Sequence, residues 1–453
     1  MTTHPFFKGP RAFMIMLTGQ AISVIGSGLT AFALGVWVYK SSGSVTQFAM
    51  VELAFWIPVI LGSPFAGAIA DRFNRRWLML ICDAASGLFT LIIFLLLAAG
   101  ALVLWEIFVL NFMLSALGIL HRLTRTTVTP MLIPKEHLAR ANGFLQALDA
   151  GSQLVSPILA AALMNVIEIK GVILVDFSTY LFAILTLMLI QIPDQANSNA
   201  EKSKPSLMKD ILSGWQYLKI RPGLLRLIAL FTMGNAFGAF FIVLYTPLVL
   251  SFATPLALGT LSSTGGIGML VGSMIIGVWG GPKRRMTGVI LTSLFECASI
   301  ILIGVQPSVI LVGVGTLLVY LNIPINNGLA NSVIQSIVPT DRQGRVFGLL
   351  QMLGSAVMPL SFLAAGPLMD HVFEPIMAPG GFLAGNIGRI IGVGQGRGIA
   401  LAFILLGIVY ILCLGAAYSS PRLRSVEDER GETLDARPNL STPVNIQESK
   451  IAI

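Results

Sequence analysis

Asn142, Gln146, Asp149 and Gln153 follow one another at intervals of four, three and four residues, so a helix through them gathers three amides and a carboxylate on one face. Such a set can hold a polar group by hydrogen bonds, and its carboxylate can take up and release a proton. Glu52 is a second carboxylate set in apolar sequence, "FAMVELAFW". Single amides recur in other apolar stretches, at Gln20, Asn111, Asn235, Asn322, Asn326 and Gln351. The four histidines, at 4, 121, 137 and 371, fall among termini and loops, with no two at metal-ligand spacing. No Gly-x-x-x-x-Gly-Lys-Ser/Thr phosphate loop occurs either. The sequence therefore encodes neither metal catalysis nor ATP hydrolysis, calls for no cofactor, and is not expected to be an enzyme.

The elements that must position these residues follow from composition. The chain of 453 residues is 55% hydrophobic and only 11% charged, with a mean hydropathy of +0.83, whereas soluble domains carry about 25% charged residues. This is the composition of a polytopic membrane protein. Apolar runs near the ~20 residues needed to cross a bilayer recur about twelve times, over 12–38, 46–69, 77–99, 101–121, 141–165, 171–192, 223–250, 256–280, 286–305, 308–335, 343–369 and 398–418. The predicted fold class is an all-α membrane protein with twelve transmembrane helices. The first run is too long for a signal-peptide core and no small-residue cleavage site follows it, so it reads as a retained helix. Cys82, Cys297 and Cys413 all fall inside spans and read as packing residues rather than a disulfide framework.

Charge sets the orientation. With the amino terminus in the cytoplasm, 25 of the 29 basic residues fall in cytoplasmic segments or adjoining helix ends, leaving Lys40, Lys170, Arg389 and Arg397 outside. The expected location is the plasma membrane, with the lipid bilayer as surrounding partner and both termini cytoplasmic. The net charge of +8 follows from this asymmetry and gives no reason to invoke nucleic acid.

Two polar pieces interrupt the pattern. "DQANSNAEKSKPS" has a linker's composition, and in the following "LMKDILSGWQYLKI" the residues Leu207, Met208, Ile211, Leu212, Trp215 and Leu218 recur at helical spacing, as in a helix lying on the membrane surface. After Tyr418 the chain is too polar to fold. The expected organisation is a six-helix half over 1–192, a linker with an amphipathic helix over 193–222, a second six-helix half over 223–419 and a disordered tail over 420–453.

The two halves echo each other. "LIPKEHLARANGFLQ" at Leu132–Gln146 returns as "IVPTDRQGRVFGLLQ" at Ile337–Gln351, with Pro134, Arg140, Gly143, Leu145 and Gln146 matched at a constant offset of 205. Any helix entry attracts Pro and acidic residues to its first turn. That preference does not explain the matching Gly and Gln deeper in. Both copies lead into the fifth span of their half, so the chain reads as an internal duplication, a recurring transporter plan with the substrate site between the halves.

The stretch "GAIADRFNRRWLM" between the second and third spans resembles the signature loop of the major facilitator superfamily, with Gly67, Asp71, Arg72, Arg75 and Arg76 in the motif positions. A worn copy, "GVWGGPKRRM", lies in the second half. Over its whole length the chain is similar to the subgroup that includes macrolide efflux proteins and the enterobactin exporter, through "LTGQAISVIGSGLTAFAL", "FEPIMAPGG" and "GVGQGRGIAL".

The resemblance implies the major facilitator fold. It also implies a gating latch in which Asp71 pairs with Arg122 or Arg125 and faces the positive amino-terminal end of the eleventh span. The alternative is that the loop only fixes topology by charge. Spans one, four, seven and ten would line the path, which gives Gln20, Asn111, Asn235, Asn322 and Asn326 as cavity candidates, with Gln146, Gln153 and Gln351 from the flanking spans. Asp149 and Glu52 are the candidates for proton coupling, while Asp83, Asp176 and Glu296 read as structural.

The function expected is efflux of an amphipathic small molecule, such as a macrolide-like drug, a siderophore or another secondary metabolite, by a monomer driven by protons or another coupling ion. Two other readings stay open. One is a solute uptake symporter of the same fold, and the other is a non-transporting membrane sensor or assembly partner.

Overall fold

The computed structural model describes residues 7–192, 222–338 and 340–420. The linker and amphipathic helix expected over 193–222 and the tail expected over 420–453 fall almost wholly outside the described residues. Among the described residues, eleven helices are long and apolar enough to cross a membrane. They are Gly9–Ser42, Val45–Arg72, Arg75–Ala98, Leu104–Leu132, Leu138–Met188, Pro222–Leu250, Pro255–Trp279, Arg285–Val305, Val309–Ile337, a broken helix of Thr340–Ser355 and Met358–Leu368, and Arg397–Tyr418.

One of the eleven is two passes. Leu138–Met188 has 51 residues, roughly 75 Å at the α-helical rise and more than twice the ~30 Å hydrocarbon layer. Its continuity breaks at Glu168, whose φ of 57° and ψ of 179° are not helical. The first span lies between the two arms. Ser152 and Ser156 donate to the Val24 and Ile25 carbonyls at 3.2 and 3.1 Å, whereas Gly19 and Gly26 lie against Thr186 and Thr179 of the second arm. Contacts ascend along one arm and descend along the other, so the chain reverses at Glu168. The fifth and sixth spans expected from the apolar runs are thus both present, joined without a loop, and the described residues make twelve passes.

Local chemistry fixes several of the other ends. Ser44, Asn74, Thr254 and Ser308 each accept a backbone N–H of the first turn that they precede, satisfying donors that a helix start leaves open. Gly43 and Gly280 close their helices with φ of 64° and 70°, a conformation that costs glycine little.

The face carrying the ends of the described chain is called terminal here and the opposite face distal. On the terminal side the apolar core is split. One cluster, around Phe13, Met16, Met79, Val128 and Leu187, comes entirely from the first six spans. Another, around Leu224, Val289, Leu329, Val333 and Leu349, comes entirely from the last six. On the distal side one cluster draws Val36, Val45 and Phe48 together with Leu244, Leu248, Phe362 and Phe403, so there the halves share a core.

Candidate transport cleft

Two seams hold the halves together. At one, the eighth span meets the fifth: a Cβ on Gly259 would fall 2.6 Å from the Pro157 carbonyl, and one on Gly266 would fall 2.8 Å from Leu154 Cα. Only glycine allows backbones this close. Ser263 adds a hydrogen bond to the Leu154 carbonyl at 2.6 Å. At the other seam, the eleventh span meets the second: a Cβ on Gly366 would lie 2.4 Å from Thr46 Cα, and Trp56 packs on Phe362 with ring centroids 6.5 Å apart. Both seams belong to the middle and distal parts of the spans. Towards the terminal face the fifth and eighth spans present exposed side chains, among them Asn142, Phe144, Gln146, Met274 and Val278. Among the described residues the closest approaches of the halves thus lie in the middle and distal parts of the spans, which leaves the terminal side as the candidate cleft.

Asn142, Gln146 and Gln153 are exposed, and the Asp149 side chain is 46% exposed while accepting a 3.0 Å bond from the guanidinium of Arg125, itself only 4% exposed. Gln351, the counterpart of Gln146 in the other half, is exposed as well. Glu52 is partly buried on the second span, bonded to the Trp56 side chain and close enough to Tyr320 of the tenth span to interact electrostatically.

The remaining cavity candidates are turned into their own halves. Gln20 is buried and donates to Asp83 at 3.3 Å. Asn111 donates to the Val51 carbonyl at 3.1 Å. Asn322 is buried and bonds the Leu318 carbonyl one turn back at 2.8 Å, and Asn326 donates to the Ser293 hydroxyl at 2.8 Å. Asn235 is partly buried on the seventh span beside Gly354. Gln20, Asn111 and Asn326 thus bond helices to one another within a half, while Asn322 bonds within its own helix.

In the signature loop, the side chains of Gly67, Asp71 and Arg72 lie outside the described residues. Arg76 donates to the carbonyls of Leu187 and Met188 at 3.3 and 2.9 Å, holding the carboxyl-terminal end of the sixth span where a cation is favoured. Arg75 reaches the Met131 sulfur at 3.5 Å, and Arg122 is exposed.

Two residues carry more than the sequence reading gave them. His121 was expected in a loop at the end of an apolar run. It lies instead inside the helix Leu104–Leu132 and is 9% exposed, with Nε2 3.3 Å from Asp83 Oδ1. Asp370 had no expected role. Its carboxylate accepts the Ser44 hydroxyl at 2.6 Å and the N–H groups of Val45 and Thr46 at 3.0 and 2.9 Å, so a residue of the second half caps a helix of the first.

Twelve passes in two halves that share a core on the distal side give the architecture of a multi-pass membrane transporter. The chain belongs to the Major Facilitator Superfamily, whose sequence pattern it matches over residues 16–362. It is 24% identical over 375 residues to macrolide efflux protein A of Streptococcus pyogenes, covering 80% of this chain and 90% of that one. It is 23% identical over 381 residues to the multidrug efflux pump Tap of Mycobacterium bovis, covering 80% and 88%. In fold it is similar to a bacterial homologue of the human lysosomal transporter Spinster, with a TM-score of 0.67 and 13% identity over 92% of this chain and 97% of that one.

Proposed function

We propose that this transporter is a proton-coupled efflux permease for an amphipathic small molecule, of the macrolide-like or other secondary-metabolite class, working by alternating access. The observation that carries the reading is the division of the core: shared by both halves on the distal side and split between them on the terminal side. A cleft closed at one end needs only a rocking of the halves to open at the other. The efflux functions named for two relatives that span most of this chain support the direction.

In this reading the protein acts as a monomer in the plasma membrane, with the terminal face and both termini in the cytoplasm, and residues 1–192 and 223–419 are the halves that rock. Gln146, Gln153 and Gln351, with Asn142, line the entry for substrate. Asp149, on the open side, and Glu52, between the halves nearer the closed side, are the coupling carboxylates. The loop of Gly67, Asp71, Arg72, Arg75 and Arg76 latches the cytoplasmic face when the cleft opens outward, with Asp71 pairing with Arg122 or Arg125.

Accumulation of erythromycin by energised cells, with and without the protein, tests the reading by sign. Lower accumulation is the expected result. Higher accumulation favours the uptake symporter, and no difference across a broad compound library favours a sensor or assembly partner.

A further inference from the structure

Asp83 and His121 are the most deeply buried acid–imidazole pair among the described residues, 3% and 9% exposed respectively. Asp83 accepts the Gln20 amide on Oδ2 at 3.3 Å. Its other oxygen faces His121 Nε2 at 3.3 Å, within ion-pair range, yet that nitrogen makes no aligned hydrogen bond. The titratable groups facing Asp83 are Cys82 on the third span and Tyr180 on the sixth, with Asp176 behind Tyr180, and Arg125 lies one turn along the helix from His121. Arg125 is already neutralised by Asp149.

We propose that Asp83 and His121 form a proton-binding site inside the first half, distinct from Asp149. Without a bound proton the pair carries one negative charge in an apolar half, an arrangement that costs several kcal/mol unless it is compensated. One proton makes the pair neutral and gives the idle Nε2 a partner, whether it forms an O–H bond on Asp83 or an N–H bond on His121. It comes from a hydronium ion in the cleft water, whose O–H bond breaks to leave a neutral water molecule. Access is short. His121 and Arg125 are four residues apart on one helical face, about one helical turn or ~5.4 Å along the axis, and Arg125 is bonded to the half-exposed Asp149, so a single buried side chain stands between the pair and the exposed carboxylate.

The inference deepens the proton-driven reading above and rests on it. Two measurements separate their failures. In the full chain in lipid nanodiscs, the four histidines are followed by nitrogen-15 NMR, the His121 signal being assigned by its loss in His121→Gln. The His121 signal should respond to pH, and Asp83→Asn should change that response. In proteoliposomes, Asp83→Asn should reduce pH-gradient-driven erythromycin extrusion at least about tenfold while leaving downhill exchange, and Asp83→Glu should restore part of it. If Asp83→Asn does not fold, His121→Gln takes its place in the transport assay, judged by the same loss. A His121 titration indifferent to Asp83→Asn, or undiminished extrusion by the variant, overturns the site. Wild-type vesicles that ignore a pH gradient overturn the proton-driven reading instead, and the NMR titration then decides on the site alone.

Discussion

The Ser44 hydroxyl donates to Asp370 at 2.6 Å, across the boundary between the two halves and 326 residues apart in sequence. With the Val45 and Thr46 N–H groups on the same carboxylate, Asp370 seals the start of the second span. A carboxylate there is favoured both by the open N–H groups and by the helix dipole. Hydrogen bonds to a charged group contribute about 1.5–3 kcal/mol, and about 1.4 kcal/mol is a factor of ten in an equilibrium. Asp370→Asn should therefore shift the closed distal face towards open by roughly ten- to hundredfold. Distances between spin labels at Lys40→Cys and Phe382→Cys would report it. An unchanged distance distribution would reduce the contact to a local cap.

The seams make a second expectation. Gly366→Val places atoms where Thr46 Cα already sits, since even a Cβ would be at 2.4 Å. Overpacking of this kind costs about 1–3 kcal/mol, and here it falls on the closed state of the distal side. Thermal unfolding in detergent should begin earlier, and labels on the distal rim should move apart. Gly415→Ala, with nothing within 4 Å of its Cβ position, is the control and should behave as wild type.

Arg125 and Asp149 separate support from coupling. Asp149→Asn removes the charge that neutralises a buried guanidinium, and breaking a buried pair costs about 3–5 kcal/mol, less here because the carboxylate is half exposed. If the pair is mainly structural, Asp149→Asn should lower protein yield and Arg125→Gln added to it should restore it. If Asp149 couples protons, the double variant should recover yield and downhill exchange without uphill efflux. Recovery of uphill efflux by the double variant would remove Asp149 from the coupling scheme.

Orientation is open to direct labelling. Single cysteines in 371–397 should react with a membrane-impermeant maleimide in intact cells, and cysteines in 193–222 only after permeabilisation, because basic residues concentrate on the side given to the latter. Reaction of both segments from one side would break the twelve-pass scheme.

Much of the fold was legible because apolar length and charge asymmetry are local properties of the sequence. The polar stripe of the fifth span was legible for the same reason: spacing alone puts Asn142, Gln146, Asp149 and Gln153 on one face. Which way a helix is rotated within its half is not local, so Gln20 and Asn322 looked like cavity residues and proved to bond inside their half. His121 was misplaced because hydropathy falls off there while the helix does not. Thr124, Thr126, Thr127 and Thr129 each return their hydroxyl to a carbonyl three or four residues back, so these polar side chains are satisfied within the helix itself. The reversal at Glu168 falls in the short gap between the expected fifth and sixth spans, 141–165 and 171–192, whereas Asp370 gave no signal because its partners lie in the other half.

The most direct measurement places purified protein in liposomes preloaded with a pH-sensitive dye and imposes a pH gradient as the only driving force. Erythromycin should be concentrated against its own gradient on the more acidic side, protons should move the opposite way, and a protonophore should abolish both. Erythromycin movement that only equilibrates, or that follows the protons in the same direction, would contradict proton-coupled efflux.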